Sequence, residues 1–367
     1  MQITGAVLEV SGAEKPFAQT RPLRVATLEL DPPQAGEVLV CIDAAGVCHS
    51  DLSVVDGNRV RPTPMLLGHE ASGIVEQVGD GVDDLAIGDR VVMTFLPRCG
   101  ECAGCRTDGR LPCEVGSAAN GAGTLVGGGI RLHGEAGGEV FHHLGVSGFA
   151  SHAVVSRTSV VKVDADVPAE IAALLGCAVL TGGGAVINAG RPASGERVIV
   201  VGLGGVGMAA LLVAVAEGHE VIGVDAVPAK LELARELGAT SALAPQEALD
   251  AGIRASVVIE AAGSARAFET AFALTAPGST TVTVGLPAPD ARASLSPLTI
   301  TGEARTVIGS YLGSAVPARN IPRYVDLWRS GRLPLERLVS SRIRLGELNE
   351  AMDRLAAGGE LRQLITF

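Results

Sequence analysis

At 367 residues the chain exceeds what one hydrophobic core usually serves, so two domains are expected. It is 47% hydrophobic but only 3% aromatic, so its cores must be Val, Leu, Ile and Ala, which suits parallel sheets covered by helices. A net charge of −11 argues against a broad nucleic-acid surface, which wants a basic face.

The first residues, MQITGAVLEVSG, lack a basic segment followed by an apolar one, so no secretory signal is read and a reducing, cytoplasmic setting is expected. Residues 1–160 look β-rich. GEVLVCIDAAGV (36–47) and GDRVVMTF (88–95) are Val-rich runs bounded by Gly and Asp, as strands should be. Cys41, inside the first run, is read as a small core residue. Residues 121–138 are glycine-rich and are expected to form a long surface loop, after which FASHAVVSRTSVVKV resumes the strand character.

The pattern changes near residue 170. AEIAALLGCAVLTGGGAVINAG reads as two helical segments. Residues 171–190 and 198–216 have the length of membrane spans, but glycines interrupt both, and they are read as buried α/β segments with no membrane partner. From 196 to about 286, strand-like and helix-like runs alternate, which predicts a doubly wound parallel sheet. Beyond 313 come amphipathic helix and a final LITF strand.

VIVVGLGGVGMAALL contains Gly202-x-Gly204-x-x-Gly207, directly after a strand and opening a helix. The first glycine permits the tight turn, the second admits a pyrophosphate, and the third lets helix pack on strand. Gly205 lies at the helix start, whose free N–H groups favour phosphate. Asp225 ends the next strand. A carboxylate there accepts from both ribose hydroxyls and repels a 2′-phosphate, so NAD is expected rather than NADP. The alternative is a structural turn with no ligand.

Cys99, Cys102, Cys105 and Cys113 follow a C-x2-C-x2-C-x7-C spacing. Four thiolates so close can wrap one tetrahedral zinc and leave no position open, which predicts a structural metal. An iron–sulfur cluster or two disulfides are the alternatives. Elsewhere, Cys48 in GVCHSDL, His69 in GHEASG and Cys177 in LLGCAVLTG supply two thiols and an imidazole, enough for a three-ligand zinc with one position open for water or alcohol. Zinc there would act as a Lewis acid on an alcohol or carbonyl oxygen.

These motifs (GVCHSD, GHExxG with Gly79 beyond it, the four-cysteine loop, LLGCAVLTG, GLGGVG and Asp225) span nearly the whole chain. The chain resembles the zinc-dependent medium-chain alcohol dehydrogenases. The interval between Cys113 and Cys177, with HHLGVSGFASHAVV, is similar to the long-form and formaldehyde-dehydrogenase branch. The resemblance implies a GroES-like β-rich catalytic domain (1–178 and 314–367) and an NAD-binding Rossmann domain (179–313). It implies two Zn²⁺ per chain, NAD, a small alcohol or aldehyde as substrate, and a homodimer or homotetramer.

It also assigns roles. Cys48, His69 and Cys177 would hold catalytic zinc with Glu70 behind it, and Ser50 would pass on the alcohol proton. Val206, Asp225, Lys230 and Arg362 would contact NAD, and Thr181 would border the nicotinamide. Phe95, His143 and Leu144 would line the substrate pocket, although Phe95 as plain core and His142 and His143 as loop surface are the bland readings. His49 stands where many relatives carry an arginine for the pyrophosphate. Because imidazole charge depends on pH, NAD binding is expected to weaken as pH rises. An NAD affinity flat from pH 6 to 9 (~6 to ~9 as a working window), in wild type and His49→Ala alike, removes this reading. Ser53 replaces the histidine that often ends the proton relay, leaving solvent or His49 as its end. Two rivals remain at this stage: a thiol-adduct (glutathione or mycothiol) formaldehyde dehydrogenase, and a non-catalytic NAD- and zinc-binding module.

Overall fold

The computed structural model describes residues 1–367. The chain divides into two compact units, residues 1–177 with 339–367, and residues 178–338.

The first unit is β-rich. Strands Gln2–Leu8, Leu23–Leu30, Leu132–His133, Glu139–His142 and Met65–Leu66 close a small barrel. Ile3, Leu28, Leu66, Leu132 and Val154 belong to the buried cluster associated with it. A larger sheet runs in the order Val160–Val163, Arg90–Met93, Ala71–Val78, Glu37–Val47, Arg362–Thr366, Val339–Ile343, and strand His152–Ser156 also pairs with Glu37–Val47. Glu37–Val47 is thus a central strand, with Val38, Val40 and Ile42 at no more than 1% exposure. A buried bidentate pair braces the unit: Arg131 Nε and a terminal nitrogen donate to Glu37, both at 2.9 Å.

The second unit carries six parallel strands in the order Ser241–Leu243, Glu220–Val224, Arg197–Val201, Ala255–Glu260, Thr275–Thr283, Thr306–Gly309. The first strand in sequence, Arg197–Val201, is central, and the order reverses beside it. That is the switch point where doubly wound sheets bind ligands. Helix Gly205–Ala216 follows this strand and is buried nearly all round. Gly182 lies so close to its backbone that an added Cβ would collide with the Val206 carbonyl.

Three expectations change. The second unit runs to Leu338, not 313, because helix Pro317–Arg329 packs there: Tyr324 is fully buried with its ring against Gly183. The stretch 121–138 is no continuous loop, since helix Glu114–Ala122 enters it and strand Leu132–His133 lies inside it. His142 and His143 are 0% and 1% exposed, so their loop-surface reading fails. His142 ends a barrel strand and accepts from the Arg131 N–H, while burial pushes its pKa down to about 3. The run Ala169–Gly190 has the length and hydropathy of a span, but 89% of its most apolar window is covered by protein.

Candidate active site

Three segments of the first unit converge on one point. Cys48 is the N-cap of helix His49–Val55. His69 lies in the tight connection before strand Ala71–Val78. Cys177 sits in the π-helical turn Leu175–Val179, a local widening often seen at functional sites. The ligand atoms of all three fall within 4.8 Å of one another, with Cys177 Sγ 3.4 Å from His69 Nε2. None of the three residues is more than 5% exposed.

The layer behind them sets their orientation. Asp51 is fully buried and accepts from His69 Nδ1 at 3.0 Å, Gly68 N at 3.2 Å and Cys48 N at 3.1 Å. A proton held on Nδ1 turns the Nε2 lone pair toward the cysteines. Burial alone would raise the Asp51 pKa, but the His69 and His143 imidazoles hold it well below the usual carboxylate range. Glu70 Oε1 accepts from Arg362 Nε at 3.2 Å, and Arg362 reaches Cys48 Sγ at 3.6 Å. Glu70 Oε2 is buried without a hydrogen-bond partner. Burial pushes this carboxyl up to about 7, against the pull of Arg362. A buried imidazole, two thiols and an orphaned carboxylate oxygen are the donors a zinc ion uses, so the residues fit the metal.

The four-cysteine loop is equally converged. Its sulfurs lie within 4.8 Å of one another, with Cys99–Cys105 and Cys102–Cys113 each at 3.9 Å. Four sulfurs about one zinc stand about 3.8 Å apart given a Zn–S distance of about 2.3 Å, whereas a disulfide needs about 2.05 Å. Backbone N–H groups of Cys105 and Glu114 point at Cys102 Sγ and hold its pKa down to about 6, and the Gly116 N–H points at Cys113 Sγ.

In the second unit, Gly202 turns at φ 92° and an added Cβ would strike Ala262. At Gly207 it would strike the Gly202 carbonyl. Gly204 has open space beside it and caps helix Gly205–Ala216. Asp225 Oδ2 accepts from Leu203 N at 2.6 Å and Oδ1 from Val227 N at 2.9 Å, so the same carboxylate steadies the turn.

Family models agree with these two regions: an alcohol dehydrogenase GroES-like domain matches residues 34–165 and a zinc-binding dehydrogenase domain matches 205–329. Geraniol dehydrogenase of Castellaniella defragrans is 38% identical over 94% of this chain and 95% of its own length. The NDMA-dependent alcohol dehydrogenase of Amycolatopsis methanolica is 36% identical over 100% and 99%. The crystal structure of benzyl alcohol dehydrogenase from Acinetobacter calcoaceticus superposes with a TM-score of 0.91 at 31% identity, covering 100% of this chain and 99% of that one. The chain belongs to the zinc-dependent medium-chain alcohol dehydrogenases. It is an oxidoreductase acting on alcohols, with a GroES-like and a Rossmann-like domain.

The dehydrogenase places two further expected residues, Phe95 and His143, beside His69. The Phe95 ring meets His69 edge-on at 5.5 Å between centroids, and His143 does so at 5.6 Å. His143 Nδ1 also lies 3.2 Å from Asp51 Oδ1. Leu144 is 6% exposed and sits at φ 52°, a left-handed conformation that a bulky side chain adopts at a cost of about 1–3 kcal/mol. Ser50 and His49 open the helix that Cys48 caps. Val206, Lys230 and Thr181 are half-buried, half-buried and 8% exposed, and all belong to the second unit. The Ser53 hydroxyl donates to the His49 carbonyl at 2.8 Å.

Sequence reasoning missed Asp51. The signal was there: Cys48-x-x-Asp51 is a capping-box pattern, and Asp51 accepts from the Cys48 N–H. Cys41, expected in the core, is half-buried on the sheet.

The loop yields a first prediction. Cys102→Ser is expected to remove one zinc per chain and lower the thermal midpoint by several degrees, because metal free energy is folding free energy in such a loop. Zinc content unchanged by elemental analysis rejects a metal at these four thiols.

Proposed function

We propose that the chain is an NAD-dependent dehydrogenase of primary allylic or benzylic alcohols, with catalytic zinc held by Cys48, His69 and Cys177 and structural zinc by Cys99, Cys102, Cys105 and Cys113. The carrying observation is the convergence of two thiols and an imidazole from distant segments, with Asp51 fixing the imidazole. Zinc so held supplies Lewis acidity to the substrate oxygen, and NAD supplies the hydride acceptor.

The chain's own residues do the rest. Asp51 keeps His69 Nε2 free of a proton. Phe95, edge-on to His69, gives the cluster an apolar neighbour that excludes water and suits an aryl or isoprenoid alcohol, and we assign buried Leu144, next in sequence to His143, to the same pocket. Ser50, two residues after Cys48, takes the alcohol proton, and His49 or solvent receives it. Glu70, tethered by Arg362, stands behind the cluster with one oxygen free. In the second unit the Gly202–Gly207 turn cradles the pyrophosphate, and Asp225 accepts from the ribose hydroxyls. Thr181, Val206 and Lys230 complete the cofactor's surroundings in that unit.

Relatives named for geraniol and benzyl alcohol support the substrate class and favour a free alcohol over a thiol adduct of formaldehyde. A cytoplasmic homodimer or homotetramer is the assembly we favour. The test is NADH formation across small primary, benzylic and terpenoid alcohols, with formaldehyde plus glutathione or mycothiol alongside. The highest kcat/KM should fall on geraniol or benzyl alcohol. Turnover of formaldehyde alone, dependent on the added thiol, overturns it.

Cofactor choice gives a second expectation. Asp225→Asn keeps the side chain's shape but removes its charge. A like charge at about 4 Å costs about 1–4 kcal/mol across the dielectric range of a protein surface, so the NAD-to-NADP ratio of kcat/KM should fall about fivefold to a thousandfold. An unchanged ratio means the carboxylate does not face the ribose.

A further inference from the structure

We infer that Cys41, Glu76 and His152 form a third, exchangeable site for a zinc-like divalent cation on the outer face of the larger sheet. One ligand atom from each lies within 4.8 Å of the others. The residues come from three adjacent strands. Cys41 on Glu37–Val47 stands directly opposite His152 on His152–Ser156. Glu76 comes from Ala71–Val78, which flanks the same central strand on its other side. Opposed residues in an antiparallel pair share a face, so thiol and imidazole project together. Sheet strands hold ligands more firmly than loops do.

The imidazole is already turned for the task. His152 Nε2 lies 3.3 Å from Glu76 Oε2, while Nδ1 is 3.1 Å from the Ser151 hydroxyl. Metal-binding histidines commonly tie their second nitrogen in this way. Asp43, two residues beyond Cys41 on the same strand, adds negative charge nearby, although Arg90 pairs with it at 2.8 Å. Sulfur, nitrogen and one carboxylate are a zinc or cobalt donor set; magnesium and calcium prefer oxygen alone. On binding, the Cys41 S–H bond is replaced by a sulfur–metal bond and the proton passes to solvent, with no change of oxidation state. His152 and Glu76 side chains are 20% and 44% exposed, so water completes the coordination and the ion exchanges freely. Both cysteines of the Cys48–His69–Cys177 cluster, by contrast, are no more than 5% exposed. The competing reading is a surface Glu76–His152 ion pair, worth about 0–1 kcal/mol, with Cys41 a bystander.

The experiment starts from the holoenzyme with its existing metals in place, dialysed against added Zn²⁺, with metal per chain measured by mass spectrometry. Wild type should take up one equivalent that Cys41→Ser and His152→Ala bind at least about tenfold more weakly. With Co²⁺ as the added ion, wild type should gain a near-ultraviolet thiolate-to-cobalt band absent from Cys41→Ser. The turnover number of Cys41→Ser should match wild type, which separates this site from the Cys48–His69–Cys177 cluster. Equal uptake in all three proteins overturns the site and assigns the extra metal elsewhere. Should a variant fail to fold, iodoacetamide labelling of Cys41 in wild type decides the matter by peptide mass spectrometry. Zinc must slow it at least about tenfold, and an unaltered rate overturns the proposal.

Discussion

Cys177→Ser is expected to lower kcat/KM for alcohol oxidation by at least about 10³ while leaving the fold intact. The metal's Lewis acidity contributes several kcal/mol to the reaction, and each 1.4 kcal/mol is about tenfold in rate, so about 4 kcal/mol corresponds to that factor. Serine holds its proton at neutral pH, so the site loses one of its two thiolates while the side-chain volume changes little. Cys177 is 4% exposed and sits in a helical turn whose hydrogen bonds are made by backbone, so circular dichroism should be unaltered. Metal analysis should show one zinc fewer, with the four-cysteine loop still loaded. Full activity with two zincs per chain would show that the Cys48–His69–Cys177 cluster is not the reacting centre.

Asp51→Asn should lower zinc affinity at the cluster about 10–100-fold, the usual cost of losing a group that orients a ligating histidine. The carboxylate accepts N–H groups on both oxygens, with Cys48 N on one and Gly68 N and His69 Nδ1 on the other. An asparagine has one acceptor oxygen. Its NH₂ must face an N–H, which leaves buried donors opposed at a cost of about 1–3 kcal/mol. If the amide instead turns its donors to His69, the imidazole tautomer reverses and the proton moves to Nε2. Chelator competition reads the affinity, and kcat measured at saturating zinc reads what misorientation remains once the site is filled. Wild-type values in both would make Asp51 a structural acid only.

Legibility in the sequence followed the distance over which each signal acts. The glycines of 202–207 and the cysteines of 99–113 lie within single loops, where local geometry dictates both residue type and spacing. The alternation of strands and helices from 196 onward predicts the parallel sheet for the same reason. Cys48, His69 and Cys177 are different, because no spacing rule links them. Their donor types allow a three-ligand zinc, the family resemblance assigns them that role, and the structure adds their convergence within 4.8 Å. Cys41 was not placeable by alternation. In VLVCID Leu39, on the same side of the period as Cys41, is buried at 2%, and the pairing register shifts beside it, so only the folded strand shows Cys41 half-buried.

By itself, the sequence determined the two-domain α/β plan, the cofactor turn, the four-thiol loop and the donor types available for a catalytic metal. These depend on backbone sterics and on chemistry within a few residues. Tertiary structure alone decided that helix Pro317–Arg329 belongs to the second unit, that His142 and His143 are buried, that Asp51 stands behind His69, and that Cys41 faces Glu76 and His152. Each of these depends on which distant surface a side chain packs against. An amphipathic stripe or a polar side chain can satisfy many partners, and only the folded chain selects among them.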